Sequence, residues 1–254
     1  MDLSEILHVV AVVYTTVVIG LLYKRAISRE VPEPIGIWQA LIPVGLGIIA
    51  SFLPGRIGLF FISRLVKVEL PPLLWSFSWA FLTAGFPEEL VKFIAILLFA
   101  ISFRLKVKNL YEYVLIGAGV GLGFSIAEEM LYGGDIIALV IRAPIAMAHM
   151  VFNMIMAEFM GREKYERVNG KKFNIFYYIL ALAVPMFIHS LFDAGTAYNR
   201  FLAMPDKTLY ALVLAVSGFV VLISSILYEL LSFKKNAVRY SAMSLLEPSD
   251  KSLE

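Results

Sequence analysis

Long apolar runs alternate with short basic or proline-containing segments along this sequence of 254 residues. A membrane-spanning helix needs about 20 consecutive, predominantly apolar residues, and a helix satisfies its own backbone hydrogen bonds in lipid. The runs are therefore predicted to be transmembrane helices, which makes the fold an all-α, polytopic membrane bundle. They cover residues 6–23, 37–53, 71–103, 113–132, 136–160, 173–194 and 209–233.

One transmembrane domain is predicted to account for residues 1–235. The polar residues 236–254 are predicted to form a disordered tail, because few of them could bury apolar surface. Basic loops near residues 104, 164 and 234 place this tail in the cytoplasm by the positive-inside rule. We therefore expect a multi-pass protein of the cell membrane with a cytoplasmic C-terminus.

The run over residues 71–103 determines how many helices cross the membrane. It is longer than a hydrocarbon core of about 30 Å requires, so it must tilt, kink or split. Gly85, Phe86 and Pro87 are the expected break, because glycine suits the end of a helix and proline the first turn of the next. One kinked helix gives seven transmembrane helices, and two separate helices give eight.

Composition narrows the functional classes. Apolar and aromatic residues make up 60% of the chain, so lipid is the solvent for most of it. The formal net charge of +2 is too small to indicate nucleic acid as a partner. The sequence contains no cysteine, which excludes disulfides, thiolate metal ligands and a thiol nucleophile.

Three pairs of polar side chains lie one helical turn apart inside the apolar runs. A charged group at mid-bilayer costs roughly 2.5–3.5 kcal/mol on insertion scales, so such residues are functional candidates by default. A spacing of four places both members of a pair on one face of a helix. Glu89 and Glu128 lie in similarly apolar surroundings. The pairs are Glu88 with Lys92, His149 with Asn153, and His189 with Asp193.

Four alternate glycines, Gly117, Gly119, Gly121 and Gly123, precede Glu128 in one span. They form two interleaved GxxxG patterns. Such patterns favour close packing of helices over a nucleotide-binding loop, because that loop must follow a strand. The packing is expected to bring the backbone that bears Glu128 against a neighbouring helix.

These polar groups suit hydrolysis of a peptide bond inside the membrane. The reaction needs a base to activate water, donors to stabilise the oxyanion, and a wet cavity. The sequence lacks the HExxH motif of zinc proteases at His149, and residues 123–127 do not complete a GxSxG elbow. Membrane-embedded ionisable residues also form proton or ion pathways, so a transporter is the alternative hypothesis, and a non-catalytic scaffold is a third.

Four motifs resemble those of one known family. Residues 87–92, PEELVK, resemble the EExxK motif of the PrsW family of intramembrane proteases, and residues 124–128, FSIAE, resemble its FxxxE motif. His149 with Asn153 and His189 with Asp193 resemble its later HxxxN/D-type motifs. PrsW proteins are in turn similar to the CAAX prenyl endoproteases and the bacterial ABI proteins, so the resemblance implies a CAAX-protease-like bundle.

The resemblance also implies roles for individual residues. Carried over by position, Glu88 is the base that activates water, and Glu89 supports it. His149 and Asn153 match the residues that orient water and stabilise the oxyanion.

Glu128 departs from the prenyl proteases, which have a histidine at that position, so a prenylated CAAX substrate is not expected. His189, on the same helix face as Asp193, is expected to supply the missing imidazole.

The family's activity, as the resemblance implies it, is cleavage of membrane-anchored regulatory proteins such as anti-sigma factors. The expected partners are a single-span or membrane-anchored protein substrate and the lipid bilayer, with no nucleic acid. We prefer a glutamate mechanism without a cofactor, because the related enzymes are described as metal-free. Glu128, His149 and His189 leave a Zn²⁺ site open as the alternative.

Overall fold

The computed structural model describes residues 3–65, 67–102, 107–131, 136–196 and 205–246. Six helical stretches in this part of the chain are long and apolar enough to cross a membrane, which confirms the predicted all-α, multi-pass bundle. The elements are α1 (Leu3–Ile27), α2 (Ile37–Ala50), α3 (Pro54–Leu65), α4 (Pro72–Ala80), a π-helical turn (Phe81–Gly85), α5 (Phe86–Ser102), α6 (Leu110–Glu129), α7 (Ile136–Val168), α8 (Ile175–Thr196), a 3₁₀ turn (Pro205–Lys207) and α9 (Thr208–Ser241).

The apolar run that begins near residue 71 is helical from Pro72 to Ser102, and its expected break takes the form of the π-helical turn. Glu88 and Glu89 do fall in the first turn of α5. However, the backbone N–H of Phe86 donates to the carbonyl of Phe81, so α5 has no free N-terminus. The turn changes the helical register and thereby the direction in which the two glutamates point.

Helix α6 is the central element of the bundle. Every residue from Leu110 to Ser125 is buried, and α6 packs against α1, α2 and α7. In contrast, α1 and α9 expose large apolar side chains along their outer faces, among them Val13, Val17 and Phe219. An apolar outer face around a fully covered central helix is the arrangement that a surrounding bilayer favours.

The glycines of α6 allow its close approach to two neighbouring helices, as the sequence predicted. A Cβ on Gly123 would collide with the backbone of Val44 in α2. On the other side, a Cβ on Gly121 would lie 2.7 Å from the carbonyl oxygen of His149 in α7. The spacing between α6 and the helix that carries His149 is therefore set by residues without side chains.

Residues 236–246 do not form the predicted disordered tail. Helix α9 continues to Ser241, and the chain after it pairs with the segment before α6. The Leu110 N–H donates to the Met243 carbonyl at 3.0 Å, and Leu245 is buried. The polar composition concealed this, because the apolar residues that anchor the segment are few. Residues 247–254 of the predicted tail lie outside the described residues.

Helix α7 also extends past the predicted end at residue 160, through basic residues to Val168. Two pairs spaced by four residues support this last part. Arg162 lies 2.7 Å from Glu158, and Arg167 lies 3.6 Å from Glu163. Pairs at this spacing stabilise a helix that apolar periodicity alone does not predict.

We predict that substitution by alanine changes the stability of the bundle differently at two glycines. Gly123→Ala should lower the stability of the bundle by about 1–3 kcal/mol, because the added Cβ forces α2 and α6 apart. Gly45→Ala, on α2, meets no atom within 4 Å and should be neutral or stabilising, since alanine favours helix. Thermal unfolding in detergent, followed by circular dichroism, measures both variants. Equal melting temperatures would contradict the proposed crossing.

Candidate active site

Four helices bring six of the seven predicted site residues into one connected polar cluster inside the bundle. The spacing of four within each motif places the side chains on the inner face of their helix. The six are Glu88 and Glu89 on α5, Glu128 on α6, His149 on α7, and His189 and Asp193 on α8.

Lys92 lies at the centre of this cluster and is fully buried. Its Nζ is 3.2 Å from Glu88 Oε2, 2.8 Å from Glu89 Oε1 and 3.1 Å from His149 Nδ1. The ring of Phe124 covers the ammonium, with its centroid 3.9 Å from Nζ. An ammonium has three protons to donate, and three acceptors from α5 and α7 surround it. The sequence analysis paired Lys92 with Glu88 but did not identify it as the centre of the site.

The contact with Lys92 determines the tautomer of His149. A lysine ammonium only donates hydrogen bonds, so His149 Nδ1 accepts and Nε2 carries the ring proton. Nε2 lies 2.9 Å from Oε2 of Glu128, where that proton is donated. His149 therefore links the buried ammonium to the carboxylate of α6.

His189 connects the other side of the cluster. Its Nδ1 lies 2.8 Å from Glu89 Oε1, which accepts the ring proton, while Nε2 lies 3.9 Å from Glu88 Oε2 and 3.4 Å from Asp193 Oδ2. The rings of His149 and His189 meet edge to face, with centroids 5.0 Å apart. The Nε2 atom thus lies between two carboxylates.

Exposure divides the cluster into two layers. Glu89, Lys92 and both histidines are buried. The carboxylates of Glu88, Glu128 and Asp193 keep 13%, 17% and 26% of their side-chain surface accessible. Glu88 and Glu128 border a cavity of about 300 Å³, which is lined by Ser51, Pro54, Gly55, Thr83, Glu88, Phe124, Glu128 and Leu131.

Asn153 is placed differently from the prediction. It is fully buried, and its Nδ2 donates to the backbone carbonyl of His149 at 2.9 Å. Its Oδ1 has no hydrogen-bond partner among the described residues. The side chain therefore braces the turn of α7 that carries His149, and its donor is not directed at the cavity. The spacing of four predicted which face of α7 carries Asn153, but it does not indicate how deep in the bundle the side chain lies.

A second buried pair, missed as a unit by the sequence analysis, lies next to Glu128. Glu129 is buried on α6, and its Oε2 lies 3.4 Å from Nε of Arg142 on α7. This pair connects the C-terminal end of α6 to the N-terminal part of α7.

The donors can be tested against a zinc ion. Ligand atoms of Glu88, Glu89, His149 and His189 all lie within 4.8 Å of one another, and Oε2 of Glu89 has no hydrogen-bond partner among the described residues. The donor types suit Zn²⁺, which binds at about 2.0–2.2 Å. However, the Lys92 ammonium already contacts three of these four residues. Because a dication and an ammonium repel each other, this arrangement does not fit the ion.

The chain matches one family model over most of its length. The model describes a PrsW family intramembrane metalloprotease, and it matches residues 33–224. The chain is 31% identical over 118 residues to Protease PrsW of Halalkalibacterium halodurans. That alignment covers 45% of this chain and 53% of the relative. It is 29% identical over 121 residues to Protease PrsW of Bacillus subtilis, covering 46% and 54% respectively. The alignments thus span about half the length of these curated relatives. No solved structure matches the chain.

We predict that Lys92→Met destabilises the protein strongly, because it leaves the buried Glu89 and the partly exposed Glu88 without their cation. Removing one partner of a buried ion pair typically costs about 3–5 kcal/mol. Thermal unfolding in detergent measures the loss, with Lys24→Met, at an exposed position of α1, as the matched control. The double variant Lys92→Met with Glu89→Gln should regain part of the stability. A Lys92→Met variant that melts like the wild type would contradict the central role of the ammonium.

Proposed function

The chain belongs to the PrsW family of intramembrane metalloproteases, and we propose that it hydrolyses peptide bonds of membrane-anchored proteins at the cluster around Lys92. One observation carries the proposal. The carboxylate of Glu88 is held against a buried ammonium by one oxygen, yet it borders a cavity within the membrane-spanning bundle. A fixed carboxylate beside an accessible space is what activation of water requires.

The two glutamates of the motif have different surroundings, and this supports Glu88 as the base. Oε1 of Glu89 receives contacts at 2.8 Å from both Lys92 and His189, and the side chain is fully buried. Its role is to orient Lys92 and His189. Glu88 keeps part of its surface on the cavity and can reach a water molecule there.

In the proposed reaction, Glu88 takes a proton from water while the water oxygen attacks the carbonyl carbon of the scissile peptide. The carbon–nitrogen bond then breaks, and Glu88 returns the proton to the leaving amine nitrogen. Water is thereby divided between the new carboxyl and amino groups. Return of the proton by the same residue follows the usual logic of general acid–base catalysis.

The oxyanion needs a donor close to the Glu88 carboxylate. We assign this role to Nε2 of a protonated His189, which lies 3.9 Å from the Glu88 carboxylate and 3.4 Å from Asp193. His149 supports the site by holding Glu128 at the cavity edge through its Nε2 proton. Asn153 acts on His149 through the backbone of α7, which replaces the direct role expected for it.

The proposed substrates are membrane-anchored proteins of the anti-sigma-factor type, such as single-span proteins that approach through the bilayer. The described helices make this a multi-pass membrane protein. We propose a cytoplasmic C-terminus, as the distribution of basic loops in the sequence indicates. We also propose a mechanism without a metal ion, because Lys92 contacts three of the four available donors.

We predict that Glu88→Gln lowers the cleavage rate by about 10²–10⁴-fold, since an amide cannot take the proton from water. The assay uses purified protein in detergent and a single-span substrate with a reporter domain. Glu69→Gln, at an exposed position, is the matched control and should cleave like the wild type. Full activity of Glu88→Gln, with the reporter released at the wild-type rate, would refute the assignment.

We further predict that activity survives treatment with 1,10-phenanthroline and that elemental analysis of active protein finds much less than one zinc ion per chain. The reason is that the Lys92 ammonium contacts three of the four side chains that could bind a zinc ion. One zinc ion per chain that is lost together with activity and restores it on addition would show that Lys92 leaves the cluster in the working enzyme.

A further inference from the structure

The cavity beside Glu88 has two walls of different chemistry. Glu88 and Glu128 form the polar wall. A second wall, the small wall, comes from the residue after α2, the first turn of α3 and the π-helical turn, and its side chains are small: Ser51, Pro54, Gly55 and Thr83. A volume of about 300 Å³ is at the lower end for ligand sites. A whole helix, about 10–12 Å across, does not fit, so a substrate must enter this cavity as an extended segment.

The hydroxyl groups of the small wall are already used. Ser51 Oγ donates to the carbonyl of Ile48 at 2.7 Å, and Thr83 Oγ1 donates to the carbonyl of Trp79 at 2.9 Å. Neither proton is left to donate to a substrate. The side chains of this wall therefore offer a bound segment no hydrogen-bond donor.

Two glycines of α3 differ in what surrounds them. Gly58 packs against the π-helical turn, where an added Cβ would lie 3.0 Å from the carbonyl oxygen of Thr83. That contact fixes α3 beside the turn. At Gly55, an added Cβ meets no atom within 4 Å, although the residue lines the cavity. Residue 58 therefore has little room for a side chain, whereas residue 55, which lines the cavity, has room for one.

Gly20 and Gly45 likewise meet no atom within 4 Å, so open space alone does not mark a site. What distinguishes Gly55 is that it lines the same cavity as Glu88 and Glu128.

We infer that this cavity is the subsite for a substrate residue next to the scissile bond and that Gly55 determines how large that residue can be. The inference rests on the proposed protease function. With glycine at position 55 the subsite accepts bulky apolar residues. A larger side chain there narrows the space opposite Glu88 and excludes them.

The test compares wild type and Gly55→Leu on single-span substrates that differ in one residue. Mass spectrometry of the wild-type products first locates the scissile bond. The residues on each side of it are then varied in turn among Ala, Leu and Phe. At one of the two positions, Gly55→Leu should shift the ratio of kcat/KM for Ala over Phe by about tenfold or more, which is within the discrimination that a few methylene groups provide.

Gly45→Leu is the matched control, because position 45 is equally open but does not line the cavity. Its ratio of kcat/KM should equal that of the wild type. Melting temperatures of both variants confirm that they are folded. A Gly55→Leu variant with the wild-type ratio at both positions, or with an equal loss for all substrates, would overturn the inference.

The Glu88→Gln variant separates the two hypotheses. If wild type cleaves, Glu88→Gln does not, and Gly55→Leu changes no ratio, the protease function stands and the subsite is wrong. If release of the reporter is the same in wild type and Glu88→Gln, the proposed function fails and the subsite fails with it.

Discussion

The burial of one ammonium group is the constraint on which the rest of this structure depends. Lys92 is fully buried in a bundle that lipid surrounds, where an unpaired charge is prohibitively unfavourable. It must therefore receive acceptors from more than one helix. Glu88 and Glu89 from α5 and His149 from α7 meet this need. Each further contact of the cluster then follows from how these three acceptors are held.

The requirement extends into the packing of the bundle. His149 on α7 contacts both Lys92 on α5 and Glu128 on α6, and Gly121 lets α6 approach α7 at the backbone of His149. Gly123 does the same for α2, whose C-terminal turn carries part of the cavity wall. The glycines of α6 and the polar cluster are thus one structural unit, because the depth of the cluster depends on distances that the glycines set.

The sequence predicted much of this arrangement, and the limits of the prediction are physical. Apolar length predicted the helices, and the unfavourable free energy of charges in lipid selected Glu88, His149 and His189 as site residues. A spacing of four gives the face of one helix, but not its rotation or depth relative to its neighbours. For this reason the separate roles expected for Glu88 and Glu89 came from the family resemblance and not from the spacing. The resemblance also placed the amide of Asn153 at the reaction, whereas the structure places it under His149.

Charge balance explains how a single cluster can both fold in lipid and carry protons. Glu88, Glu89, Glu128 and Asp193 form a chain of contacts around one permanent cation, Lys92. Four ionised carboxylates with one cation would leave a large net negative charge inside the membrane. Protons on some of these carboxyl groups, or on the imidazoles that touch them, would reduce that charge. A bundle that retains protons at the edge of a cavity meets the requirement for acid–base chemistry, because the proton that stabilises the fold is the proton that a reaction can use.

A metal ion would supply charge to the same donors but would displace protons from them. The buried lysine therefore favours a site that works by proton transfer.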